Sequence, residues 1–194
     1  FLGGNQVSDI SSLSGLTALT HLQLFGNQQI SDISSLSGLT ALTTLTLSYN
    51  LVSDISSLSG LTALTRLELY NTQISDISSL SGLTALTSLT LSDNQISDIS
   101  SLSGLTALTS LTLSGNQISD ISSLSGLTAL TELSVSSNQI SDILTIQNWV
   151  SLPNTYLWLT DNPVDCTQSQ ALDARAVSEG VDSYFSATAT CVEP

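Results

Sequence analysis

Apolar residues recur along this chain at a spacing of three that closes on a spacing of two. Between residues 74 and 95 they stand at Ile74, Ile77, Leu80, Leu83, Leu86, Leu89 and Leu91. A run of threes suits a polygonal coil with its apolar corners turned inward. The closing Leu-x-Leu suits a short strand with both leucines on one face. The pattern restarts at Val7, Ile30, Val52, Ile74, Ile96, Ile118 and Ile140, at an interval of 23 residues and then of 22. The extra residue in the first interval is Gln28 or Gln29. Fourteen letters, ISDISSLSGLTALT, hold almost constant in each coil, and the eight or nine after them drift. No single coil can bury its own apolar face, so such an array is held together by stacking of neighbours.

A polar column runs beside the apolar one. Asn falls three residues after the last apolar strand position, at Asn5, Asn27, Asn50, Asn94, Asn116, Asn138 and Asn162. An amide buried at such a turn can bond the backbones of adjoining coils, where no regular ladder exists. Thr72 replaces Asn in one coil, which predicts a local weak point. Asp9, Asp32, Asp54, Asp76, Asp98, Asp120 and Asp142 precede the polar turn of each coil and suit an N-cap there. Gly15, Gly38, Gly60, Gly82, Gly104 and Gly126 mark the bend back toward the next strand.

The motif L-x-x-L-x-x-L-x-L-x-x-N at a 22-residue period resembles the leucine-rich repeat. The ISDISSLSGLTALT block narrows the likeness to the repeats of bacterial internalins, over residues 1 to about 164. The resemblance implies an α/β-type, mainly β solenoid: a right-handed superhelix with a parallel concave sheet of about seven to eight short strands. It also implies 3₁₀ turns on the convex side. Residues 1–6 then read as the remnant of a preceding coil, which upstream sequence or another domain would cover. Residues 165–194 read as a small helical C-terminal cap, with Thr167 at the helix start and Gly180 at its stop. The last repeat loosens at Leu144 and Ile146, takes an insertion near Pro153 and recovers at Leu157 and Leu159. Trp149 reads as core. Cys166 and Cys191 flank the cap and are the only cysteines. One disulfide between them would contribute roughly 3–4 kcal/mol and imply an oxidising compartment. Two buried free thiols are the alternative.

Charge narrows the partners. Sixteen acids face two basic residues, Arg66 and Arg175, for a net charge of -14. Nothing in that balance neutralises phosphates, which excludes nucleic acid, and anionic membrane surfaces are equally disfavoured. No apolar run approaches the roughly 20 residues that span a bilayer. No secretory leader is visible ahead of Phe1, which fits a mature chain or a fragment. His21, the single His, has no Ser-acid arrangement around it, and the glycines are periodic rather than clustered into a phosphate loop. The Asp column is a line, whereas Ca²⁺ needs about six to eight converging ligands. The chain therefore reads as non-enzymatic, without cofactor or metal, and monomeric.

Function is expected in the drifting letters, because alternate side chains of a strand point away from the core. The candidate ligand-binding residues on the concave face are His21, Gln23, Phe25, Thr44, Thr46, Tyr49, Arg66, Glu68, Tyr70, Glu132, Tyr156 and Trp158. Aromatics and Arg are the side chains that most often anchor interfaces. The expectation is an adhesin-like recognition module for a protein or glycan ligand, extracellular or on the cell surface. Two alternatives remain at this stage. One is an ice-binding or water-ordering face built on the Thr17–Thr128 and Thr20–Thr131 columns. The other is a structural stalk for another domain.

Overall fold

The structure, a computed structural model, describes residues 2–146, 156–164, 167, 168 and 170. Seven three-residue strands form one sheet: β1 (His21–Gln23), β2 (Thr44–Thr46), β3 (Arg66–Glu68), β4 (Ser88–Thr90), β5 (Ser110–Thr112), β6 (Glu132–Ser134) and β7 (Tyr156–Trp158). They pair in chain order, all parallel and without a shift in register, so that Leu22, Leu45, Leu67, Leu89, Leu111, Leu133 and Leu157 form one row. The opposite side of each coil carries a 3₁₀ turn, as at Ser56–Leu58 and Ser78–Leu80. The fold is thus the solenoid that the apolar period predicts.

All seven corners of the coil beginning at Ile74 lie in the core. The first coil is less covered. Leu13 and Leu19 are half-buried against the core and Leu16 is exposed. The cap expected over 165–194, including the Cys166–Cys191 pairing, lies outside the described residues except at Thr167, Gln168 and Gln170. Trp149 and Pro153 also lie outside them.

The coils are tied together by side chains that the fourteen constant letters and the Asn column supply. Each ladder Asn from Asn27 on donates its Nδ2 both to its own coil and to the preceding one, whereas Asn5 bonds only within its own. Asn116 reaches Leu113 O at 2.9 Å and Leu91 O at 3.0 Å. Its Oδ1 accepts the Ile96 N–H at 3.0 Å, which fixes the start of its own repeat. On the convex side, Ser35, Ser57 and Ser79 each donate Oγ–H to an Ile carbonyl one coil back at 3.1 Å. Asp9, Asp32, Asp54, Asp76, Asp98 and Asp120 each accept the N–H of the Ser two residues on at 2.8 Å. The Asp column is therefore a set of caps, although Ile, not Asp, stands immediately before each turn.

One regularity went unread in the sequence. The residue just before each ladder position has a positive φ: Gly4, Gly26, Tyr49, Asn71, Asp93, Gly115, Ser137 and Asp161, between 50° and 71°. Gln28, at φ 58°, is left-handed as well, which identifies it as the inserted residue of the long first interval.

The ladder fails in two adjoining coils. Thr72 Oγ lies 3.2 Å from Leu69 O and 2.6 Å from Asn94 Oδ1, with one proton to serve both. Among the described residues it makes no bond back to Leu47 O. Asn50 keeps both Nδ2 bonds, but its buried Oδ1 has no partner among the described residues. Thr72→Asn should restore the cross-coil bond and raise stability by about 1 kcal/mol. Asn116→Ala should lower it by about 2 kcal/mol or more, because buried carbonyls and the Ile96 N–H lose their partner. Urea unfolding midpoints at constant slope check both.

Candidate functional site

The register of the sheet sets three rows of outward side chains. The first runs His21, Thr44, Arg66, Ser88, Ser110, Glu132, Tyr156, and the second Gln23, Thr46, Glu68, Thr90, Thr112, Ser134, Trp158. The third, just past the strands, runs from Phe25 through Tyr70 to Thr160. The left-handed column borders it. Coils 88–92 and 110–114 carry only Ser and Thr in these rows. The larger side chains gather at the two ends of the sheet.

The richest cluster stands on and beside β3. The Tyr49 and Tyr70 rings meet edge to face, with centroids 5.0 Å apart at 76°. Their backbones are locked as well: Tyr49 N–H donates to Tyr70 O at 2.9 Å, and Tyr70 N–H donates to Ser48 Oγ at 3.0 Å. Hydrogen bonding to the Asp93 carboxylate, and secondarily to the Tyr49 hydroxyl, pushes the Tyr70 phenol up to about 12. Asp93 is exposed and sits two coils beyond Tyr49 in the left-handed column. A side chain at Gly115 would collide with Asp93 Oδ1, so the glycine leaves the room that the carboxylate occupies. On the same strand, Arg66 Nε donates to Glu68 Oε1 at 2.8 Å. That ion pair is solvent-exposed at its Arg end, so its value lies in orienting the guanidinium rather than in stability.

Tyr49 stands out in its column. A left-handed backbone costs an L-residue about 1–2 kcal/mol, least for Gly and Asn. The other coils place Gly, Asn, Asp or Ser there. This coil keeps a bulky aromatic at φ 58°, and the ring is 47% exposed rather than used to fill the core.

The remaining candidates divide. Tyr156 and Trp158 stack at 6.1 Å and 15° on β7, and Glu132, in register with Tyr156, accepts Ser110 Oγ–H at 2.8 Å. Phe25 is exposed and lies over Gly3, away from the tyrosine pair. His21 Nδ1 lies 2.9 Å from Thr20 Oγ1. Gln23 and Thr44 are half-buried. Thr46 is not a contact residue, since it is buried, with 6% of its surface exposed. It is a short side chain between the longer Gln23 and Glu68 of the flanking strands. Asp93 and Asp161 were missed, because their access depends on the left-handed turn and not on strand alternation.

The Thr columns are also clarified. Thr43, Thr65, Thr87, Thr109 and Thr131 each donate Oγ1–H to the Thr carbonyl one coil back, at 3.0–3.2 Å. Those protons brace the sheet and are not presented outward. The Thr17–Thr128 column stays exposed.

The family model for leucine-rich repeats (two copies) matches residues 1–38, 40–82, 62–104, 84–126 and 106–149. The chain therefore belongs to the leucine-rich repeat family. Within it, the chain is internalin-like. It is 32% identical to an internalin (inlF) of Listeria monocytogenes, with a TM-score of 0.84 over 97% of this chain and 57% of that one. It is 38% identical to internalin C2 (inlC2) of the same species, with a TM-score of 0.77 over 82% of this chain and 71% of that one. A leucine-rich repeat protein of Leptospira interrogans, 21% identical with a TM-score of 0.75 over 94% of this chain and 53% of that one, shares the fold. The chain thus spans little more than half of the first internalin's length. No curated protein matches the sequence.

Two titrations test this geometry. Folding raises the Tyr70 pKa, so the folded state holds that proton more tightly. The resulting contribution is complete below pH 10 and disappears as pH climbs through about 12. Absorbance of the phenolate should show Tyr70 titrating late, and Asp93→Asn should bring it back toward 10. Folding lowers the pKa of Asp9, Asp32, Asp54, Asp76, Asp98 and Asp120, first through the backbone N–H of the following Ser. Their contribution is present above the ordinary carboxylate range and is lost as pH falls below it. Carboxyl NMR titrations should place these six below 3.8, with thermal stability falling in parallel on acidification.

Proposed function

We propose that the concave sheet is the binding face of a non-enzymatic protein-recognition module, with Tyr49, Arg66, Glu68 and Tyr70 as its principal anchor. The observation that carries this reading is the exposed Tyr49 ring, held on a left-handed backbone where other coils use Gly, Asn, Asp or Ser. Strain of that kind persists where surrounding structure over-determines it, and it concentrates at ligand sites. The ring is then locked against Tyr70, so ordering it on binding costs little entropy. The Tyr156–Trp158 stack is a second contact region on the same face. The likeness to internalins supports a binding role and, with it, a place outside the cell as part of a surface or secreted adhesin-like protein.

The neighbouring coils supply a clean test. Tyr49→Asn, Arg66→Ser, Glu68→Thr and Tyr70→Ser rewrite this coil in letters that already fold at Asn71, Ser88, Thr90 and Ser92. Peptides selected on the wild-type protein from a dodecapeptide display library should bind the combined variant about tenfold more weakly or worse, at an unfolding midpoint no lower than that of the wild type, since Tyr49→Asn relieves backbone strain. Convex substitutions Ser81→Ala and Ser103→Ala should leave binding intact. Equal binding of the selected peptides to the rewritten coil would remove the assignment.

A further inference from the structure

The anchor cluster also has a chemistry that selects its partner. Tyr49 and Tyr70 meet at 76°, so their rings form two walls of a corner. Asp93, an exposed residue, stands beside it in the left-handed column one coil beyond Asn71, and its carboxylate is the largest influence on the Tyr70 phenol. A carboxylate offers about four lone-pair positions, enough for a further donor beside the phenol. Aromatic faces beside an anion are the recognition elements for a cationic side chain, which is attracted when it lies within about 6 Å of a ring centroid. The one nearby cation of this chain does not fill that role, because Arg66 is held by Glu68 along its own strand.

The same pairing recurs four strands away. Glu132 stands in register with Tyr156, whose ring stacks on Trp158, and the Ser110 hydroxyl steadies the carboxylate. At about 4.8 Å per strand the two stations lie roughly 19 Å apart. A ligand touching both is a macromolecule. The concave face and its left-handed border bear Glu68, Asp93, Glu132 and Asp161 against Arg66, on a chain whose net charge is -14. Charge complementarity at an interface sets partner choice and encounter rate.

We propose that the concave face takes a basic protein partner, and that the corner of Tyr49, Tyr70 and Asp93 receives one of its Arg or Lys side chains. This rests on the concave sheet being the binding face. The probe is N-acetylargininamide, with N-acetylcitrullinamide as its uncharged counterpart, titrated against the whole protein while the Tyr49 and Tyr70 ring signals are followed by NMR. Asp93→Asn keeps the fold, since Asn71 already occupies the same left-handed position one coil earlier. Saturable shifts are expected with the arginine compound alone, weakened about two- to fivefold by Asp93→Asn and weakened again by salt. Equal shifts with both compounds, or unaltered binding to Asp93→Asn, overturn the proposal. The display selection separates this failure from that of the binding face. Selected peptides that require the Tyr49–Tyr70 coil but carry no excess of Arg and Lys leave the binding face standing and remove the basic partner. Peptides indifferent to that coil remove both.

Discussion

A 22-residue coil of this kind has an apolar interior and two open flanks, and it becomes stable only by laying each flank against a neighbour. The buried Asn amide makes that stacking specific. By donating to its own coil and to the one before, and by accepting the N–H that opens its own repeat, it fixes spacing and register together. The convex Ser hydroxyls and the Thr column do the same at two other corners. Because these three sets of cross-coil ties come from letters that repeat, most of the drifting letters are released from structural duty. The sheet can then present any side chain without re-solving the fold.

That separation is nearly complete, and its exception lies beneath the anchor cluster. Asn50 belongs to the coil of Tyr49, and Thr72 to the coil of Tyr70. They are the two places where the amide ladder is incomplete. The inserted Gln28 lies in the coil before them. The strained Tyr49 backbone adds a third local cost. Weakened bracing and retained strain coincide with the tyrosine pair and the Arg66–Glu68 ion pair. This is the distribution expected where binding, not stability, selected the residues.

The fold was legible because its signal is redundant. Seven repetitions of one apolar period leave a single architecture, and the Asn column announces its own role through spacing. Thr72 was legible as a defect for the same reason. The site was legible only in part. Strand alternation placed Arg66, Glu68, Tyr70 and the β7 aromatics outward, where they are found. It also placed Thr46 outward, and there the longer neighbours in its row defeat it. Alternation ends at the strand, so it said nothing of the left-handed column. Asp93, left-handed with its carboxylate at Gly115, therefore went unseen. The letters Gly, Tyr, Asn, Asp and Ser that precede the ladder position were the available clue, since most of them tolerate positive φ.

The central claim is that the constant letters form a frame and a few variable letters form the site. It is tested most directly by moving the site one coil along. The original would be erased with Tyr49→Asn, Arg66→Ser, Glu68→Thr, Tyr70→Ser and Asp93→Asn. It would be rebuilt 22 residues on with Asn71→Tyr, Ser88→Arg, Thr90→Glu, Ser92→Tyr, Gly115→Asp and Ser137→Gly, the last supplying the room that Gly115 gives Asp93. The measurement is the affinity of peptides selected on the wild-type protein, set against the erased variant alone. Recovery of binding in the rebuilt protein, within about tenfold of wild type, is the predicted result. A rebuilt protein that folds normally yet binds no better than the erased one would contradict the account.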